Sequence, residues 1–262
     1  MTPPPHVVLL TGAGGDLGRA LAREFARQGA VLALCDLLPQ TVGEQAVRGL
    51  LAEGAAAAHY RSVDVTDASA LQDFVAEMGT AHGPPKVCIV NAGVVERGAL
   101  LELSPEAWRR TLEVNLTGAF LTARIAAQAM VTAGQAGQIV FIGSWVQDVP
   151  RDNIGAYCVS KSGLKMLARC LARELATHRI RVNTVAPGWI DAGLTGKNLA
   201  AHPERRAGIE AQIPLGRLGT AEEVARAVRL LCSDDAIYMT GANLLLDGGS
   251  SLGVGAEAPP PR

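Results

Sequence analysis

The stretch Val7-Val-Leu-Leu-Thr-Gly-Ala-Gly-Gly-Asp-Leu-Gly18 decides the reading of the whole chain. An apolar run, read as a strand over His6–Leu10, feeds directly into a glycine-rich turn. Leu17, Leu21 and Phe25 then recur at helical spacing, so the turn opens a helix. Gly12, Gly14 and Gly18 let the backbone turn tightly, and the free N–H groups at a helix start favour an anion. Strand, glycine turn and helix together are the arrangement that cradles a pyrophosphate. Asp36 ends the next apolar run about 20 residues on, where a carboxylate can accept ribose hydroxyls.

Outward from that turn the pattern alternates. Strands are expected at Val31–Cys35, Ala58–Val63, Val87–Val90, Ile139–Ile142, Ile180–Val185 and Leu244–Leu246. Helical periods fill about 39–53, 67–82, 104–133, 155–178 and 220–233. Continuous apolar strands separated by helices imply a parallel sheet covered on both faces. About 192–218 breaks the rhythm with glycines and prolines and reads as a lid or substrate loop. The ends, 1–5 and 253–262, read as loose, and no composition shift divides residues 1–262 into more than one domain.

Composition narrows the partners. Of 262 residues, 48% are hydrophobic and 19% charged, which is enough apolar material for a large core. The net charge of -1 gives no basic excess for nucleic acid or an anionic membrane surface. Aromatic residues at 4% leave no stacking platform for bases. No apolar run approaches the ~20 residues of a membrane span, and no signal-peptide core precedes the first strand. Cys35, Cys88, Cys158, Cys170 and Cys232 are scattered without CxxC spacing, as expected of free thiols in a cytoplasmic protein. Histidines 6, 59, 82, 178 and 202 form no ligand pattern, so no metal is expected.

The segment Thr11-Gly-Ala-Gly-Gly-Asp-Leu-Gly18 resembles the Thr-Gly-x-x-x-Gly-x-Gly signature of the short-chain dehydrogenase/reductase family. The resemblance continues through Asp64-Val65, Asn91-Ala92-Gly93, Pro187-Gly188, Tyr238-Met-Thr-Gly241 and Asp247-Gly-Gly249. It implies a single-domain α/β Rossmann fold with a doubly wound, seven-stranded parallel sheet. It also implies a nicotinamide dinucleotide lying along Gly12, Gly14, Asp16, Leu17, Gly18, Asp36, Leu37, Asp64, Val65, Asn91, Ala92, Gly93, Pro187, Gly188 and Ile190. Asp36 would repel a 2′-phosphate, and Leu37 and Leu38 offer no cation, so NAD is expected over NADP. Two departures stand out. Asp16 replaces the middle glycine of the signature and is expected to cap the first helix. Ala192 stands where similar enzymes often carry a threonine, leaving the backbone of Ile190 to make the nicotinamide contact.

Tyr157 and Lys161, four residues apart, share one helix face. A phenol titrates near ~10 in water, and a neighbouring ammonium plus a positive nicotinamide are expected to lower it by ~3 units, about 4 kcal/mol. A phenolate can then remove a hydroxyl proton while hydride leaves the same carbon. Ser144, at the carboxyl edge of the sheet, can orient the substrate oxygen. Asn115 is a poor helix-interior residue that can bend its helix and hold a water. By resemblance, Asn115, Ser144, Tyr157 and Lys161 match the family's catalytic tetrad, with Tyr157 as acid/base and Lys161 also holding the nicotinamide ribose.

Substrate walls are expected from Ser144, Trp145, Val146 and Trp189, with Gln147, Arg151, Asn153, Val94–Arg97 and the 192–212 loop nearby. The expected activity is hydride transfer between NAD and a small-molecule secondary alcohol or ketone, with a polyol, sugar or hydroxy acid as substrate. The alternatives are a 3-oxoacyl-type carbonyl reductase and a catalytically idle NAD-binding sensor. The resemblance implies a homotetramer or dimer through the two long helices, with Ala119–Ala129 and the face of Leu164, Leu167 and Leu171 suited to close packing.

Overall fold

The computed structural model describes residues 6–253. The apolar runs become strands β1 (Val7–Thr11), β2 (Val31–Asp36), β3 (Ala57–Ser62), β4 (Val87–Val90), β5 (Gly137–Ile142), β6 (Ile180–Pro187) and β7 (Asn243–Leu246). All pair in parallel, in the order β3-β2-β1-β4-β5-β6-β7. This is the doubly wound Rossmann-type sheet that the alternation implied. Strand bounds moved by no more than two residues; the central runs β1, β2, β4 and β5 are buried almost throughout, so that their ends alone are negotiable.

The strands read as unbroken apolar runs because their two faces feed two cores. Val7 and Leu9 of β1 join Ile139 and Phe141 of β5 on one face. There they meet Leu71 and Phe74 of α3 (Ala68–His82), Ala123 and Ala126 of α5 (Ala119–Thr132), and Leu164 of α6 (Gly155–Leu175). Val8 and Leu10 point the other way with Val140 and Ile142. They meet Leu21 and Phe25 of α1 (Asp16–Ala26) and Val224 and Val228 of α9 (Ala221–Cys232). A polar residue at any central strand position would enter one core or the other.

Two long helical stretches differ from the sequence expectation. The region expected at 104–133 runs as α4 (Pro105–Leu112), a π-helical turn over Glu113–Gly118, then α5. Ser104 caps α4 through its side chain, which accepts from the Ala107 N–H. The region expected at 155–178 ends its α-helix at Leu175 and closes with a 3₁₀ turn at Ala176–His178. The face of Leu164, Leu167 and Leu171, expected to be available for packing between subunits, is turned onto the sheet. The exposed large apolar residues here are Phe120, Val131, Val159 and Met166.

The irregular segment 192–218 folds back as short helices, α7 (Gly193–Ala201) and α8 (Arg206–Glu210), separated by a 3₁₀ turn at Pro203–Arg205. Leu199, Ile213 and Leu218 give it a small core of its own, against Trp189 and Ile209. An Arg206–Asp191 ion pair at 2.7 Å ties it to the end of β6. Of the expected loose ends, 1–5 and 254–262 lie outside the described residues.

Candidate active site

The sheet order reverses between β1 and β4, and helices leave to opposite faces there, opening a crevice at the carboxyl ends of the strands. A cleft of about 460 Å³ occupies that place. Its lining joins Gly12, Asp16, Leu17, Gly18, Asp36, Leu37, Asp64, Val65, Asn91, Ala92, Gly93, Pro187, Gly188 and Ile190 to Ser144, Tyr157 and Lys161. Gly14 lies apart, in a neighbouring cavity between α1 and α2 (Gln40–Ala52).

The glycine turn is held in shape by backbone and amide contacts. Gly12 has φ +67, and a Cβ there would stand 2.8 Å from the Ala92 Cα. The Asn91 amide Nδ2 donates to the Thr11 and Gly12 carbonyls at 3.1 and 2.9 Å, so Asn91 fastens the turn to the end of β4. Gly15 starts α1 without a side-chain cap, which leaves helix-start N–H groups free beside the cleft. Both oxygens of Asp36 accept backbone N–H groups, from Gly14 at 2.9 Å and Leu38 at 3.2 Å. Their remaining lone pairs are available to a ligand at the far end of the cleft. An uncapped helix start, a glycine cradle and an anchored acid fit a nicotinamide dinucleotide.

Asp16 is not the helix cap. It occupies the first position inside α1, and its carboxylate accepts from the Gly193 N–H at 2.8 Å. The glycine turn is thereby fastened to the start of α7 across the mouth of the cleft. A helix-start N–H so distant in the chain (177 residues) outcompetes the local cap.

Tyr157 and Lys161 sit one turn apart on α6, as the spacing required. The Lys161 ammonium is buried, donates to the Ile142 carbonyl at 2.7 Å, and lies 5.5 Å from the centre of the Tyr157 ring. Burial lowers Lys161 to about 8. Burial pushes the Tyr157 phenol up to about 12, with hydrogen bonding to Ser144 pulling the other way. In the protein by itself, loss of hydration around the phenol outweighs the Ser144 hydrogen bond, and the lowering expected from Lys161 together with a bound nicotinamide is not seen.

Ser144 stands two residues beyond β5, at the head of a 3₁₀ turn over Trp145–Gln147. Asn115 lies in the π-helical turn and is 1% exposed. Its Oδ1 accepts from Val94 N at 2.7 Å, and its Nδ2 donates to Val94 O at 2.9 Å and Ser160 Oγ at 3.0 Å. Its side chain is thus engaged by protein on every side, pinning the Val94 segment to α6.

Trp145 and Val146 are buried with Cys158 in a small cluster, and Tyr157 and Trp189 pack at its edge. Trp145, Val146, Cys158 and Trp189 back the catalytic groups without lining the cleft, while Tyr157 reaches it. Gln147 is also buried, with its amide donating to Asn243 Oδ1 at 2.8 Å. The sequence reading missed Arg110 and Val114, which do line the cleft, and named Gly193 and Thr195 only as part of the 192–212 loop. Thr195 had a signal: it places a hydroxyl three residues beyond Ala192, on the first turn of α7.

Cys35, Cys88 and Cys158 are buried free thiols, while Cys170 is exposed. The fold brings His59 and His82 together with Nε2 atoms 2.8 Å apart, yet no group of three potential metal ligands forms among the described residues. No helix among them is long and apolar enough to cross a membrane.

The family model described as enoyl-(acyl carrier protein) reductase matches residues 12–251. The chain belongs to the short-chain dehydrogenase/reductase family. The (3R)-3-hydroxyacyl-CoA dehydrogenase of Mus musculus is 38% identical over 93% of this chain and 95% of its own. The 3-oxoacyl-(acyl-carrier-protein) reductase of Escherichia coli is 34% identical over 93% of this chain and 96% of its own. A solved short-chain type dehydrogenase/reductase from Mycobacterium marinum superposes with a TM-score of 0.88 at 31% identity, covering 95% of this chain and 97% of that one. The chain is an oxidoreductase of this family, whose members use nicotinamide cofactors.

Proposed function

We propose that this protein is an NAD-dependent dehydrogenase of secondary alcohols, working between an alcohol and its ketone. The observation that carries the reading is the cleft itself, with Tyr157, Ser144 and Lys161 at one end and Asp36 at the other. When bound there, the oxidised nicotinamide supplies a positive charge and accepts the hydride. Tyr157 Oη removes the alcohol proton, and returns it when the reaction runs toward the alcohol. Ser144 Oγ holds the substrate oxygen in line with Tyr157. Lys161 stays charged, steadies the phenolate and holds the nicotinamide ribose. Asn115 fixes the backbone around Val94 and ties it to the helix that carries Tyr157 and Lys161.

NAD is preferred because Asp36 faces the adenosine ribose and Leu37 beside it is exposed and uncharged. A 2′-phosphate would be placed against a carboxylate with no compensating cation. A substrate panel assayed with both NAD and NADP tests this. Turnover with NAD at least tenfold better than with NADP is expected, and equal use of both would sink the preference. A cytoplasmic homotetramer or dimer suits the free thiols and the apolar Phe120, Val159 and Met166 on the outer surface of α5 and α6.

The mouse and Escherichia coli relatives favour a second reading, a reductase or dehydrogenase of 3-oxoacyl or 3-hydroxyacyl groups. Activity on acyl thioesters exceeding that on all free alcohols would select it.

A further inference from the structure

Beside the catalytic end of the cleft, just outside its lining, lies a cation that the proposed function has not used. Trp145 follows Ser144, and Trp189 follows Gly188; Ser144 and Gly188 both line the cleft. The two indole rings meet with centroids 6.0 Å apart. Arg151, from the loop between β5 and α6, places its guanidinium carbon 5.5 Å from the Trp145 ring centre and 5.4 Å from that of Trp189. Tyr157 belongs to the same cluster as the two indoles.

A guanidinium against two aromatic faces is fixed in orientation, while its N–H edge remains free to donate. Arg151 is half-buried, and among the described residues it forms no ion pair. Two acids at the borders of this region are already taken, Asp148 by Lys165 and Asp191 by Arg206. A second donor is also orphaned: the Trp189 indole Nε1 is buried without a hydrogen-bond partner. Donors without acceptors call for an explanation, and a planar anion such as a carboxylate satisfies the free edge of a half-buried guanidinium.

We propose that Arg151, clamped by Trp145 and Trp189, anchors a carboxylate of the substrate, so that the enzyme acts on hydroxy acids and their oxo acids in preference to neutral alcohols. The proposal rests on the dehydrogenase reading and names the substrate class of that site. The clamp sets the acid group against Arg151 while the carbinol carbon faces Tyr157. Arg151 is a specificity-determining residue that leaves the proton and hydride steps to other groups.

The test pairs each acid with its own primary amide: 2-hydroxybutyrate, 3-hydroxybutyrate and 3-hydroxycyclohexanecarboxylate. With wild type and NAD, kcat/KM for at least one acid is expected to exceed that of its amide tenfold or more. Arg151→Gln should raise KM for that acid at least tenfold, leave kcat within threefold, and leave the amide unchanged. Amides used as well as acids by wild type, or acid and amide weakened alike by Arg151→Gln, would overturn the proposal. Tryptophan emission, titrated with the same acids, separates the two readings. If no alcohol is turned over, yet the acids quench wild type and not Arg151→Gln, the dehydrogenase reading fails and the anchor stands. If wild type turns over alcohols but the acids quench it no more than the amides, the anchor fails and the dehydrogenase reading stands.

Discussion

The two ends of the cleft are built by different means. The dinucleotide end is made by backbone: a glycine turn, an uncapped helix start, and an acid held by two N–H groups. Beside the catalytic end, side chains on loops take over, where Trp145, Arg151 and Trp189 meet only after the chain has folded. A backbone-made site tolerates few residue types, because conformation and close approach restrict what fits. A side-chain-made site accepts many solutions, and its chemistry changes with single substitutions. The first end therefore serves a cofactor shared across a family, and the second is where substrates diverge.

The sharpest break to attempt lies where the two ends meet. Tyr157→Phe removes only the hydroxyl that moves the proton. A loss of turnover on the order of 10³-fold or more is expected from a general acid/base, with NADH affinity, read by the fluorescence of its reduced nicotinamide, nearly unchanged. Retention of a tenth of wild-type turnover would refute the role. Next comes the backbone end. Gly12→Ala places a Cβ 2.8 Å from the Ala92 backbone at φ +67, so strain and overlap add to about 2–4 kcal/mol of destabilisation. Gly29→Ala is the control: φ is +71, but nothing lies within 4 Å of the added carbon, so about 1–2 kcal/mol is expected. Thermal unfolding of both variants decides whether close approach or φ alone governs the turn. Equal losses would show that contact with Ala92 contributes nothing.

How far the sequence could be read follows the same division. The central strands were legible because both faces are buried and apolar runs such as Val7–Leu10 admit no polar interruption, while β3 and β7 at the sheet edges are less buried and were read from the alternation with helices. Helical spacing put Tyr157 and Lys161 on one face, but they were legible as candidate site residues only through the family resemblance of their motif. The π-helical turn at Asn115 was not, since one extra residue in a turn leaves no mark on hydrophobic periodicity. Nor was the elevated phenol of Tyr157, because burial depends on what packs around it, while spacing reveals only its charged neighbour. The Trp145–Arg151–Trp189 stack was invisible as a unit, as its members come from two loops.

Lys161 sharpens the energetic side of the comparison. Burial lowers it from the usual 10.5 to about 8, so both folded and unfolded chains hold the proton below pH 8 and the burial penalty is then fully present. Between pH 8 and 10.5 the unfolded chain binds a proton that the folded one has shed, and stability rises with pH. Lys161→Met lacks this titration. Wild type should gain on the variant by about 3 kcal/mol between about pH 7.5 and 10 in urea unfolding. A constant difference across that range would mean that the ammonium is better solvated than its surroundings indicate.

The smallest effect concerns the single hydrogen bond that crosses from one end to the other. Asp16 accepts from Gly193 N at 2.8 Å in an exposed setting, so Asp16→Ala should cost no more than about 1 kcal/mol globally. Its effect is local. Amide exchange in α7 should quicken, exchange in α1 should stay unchanged, and NAD affinity should shift less than tenfold. Faster exchange in α1 would restore the helix-cap role. A tenfold gain in NAD affinity would mean that the carboxylate opposes the phosphates it stands beside. Unchanged exchange throughout would show that the 193–201 segment is held by its own small core and the Arg206–Asp191 pair, with no help from the glycine turn. In that last case the two ends of the cleft are mechanically independent, and the substrate end could be rebuilt without disturbing the cofactor.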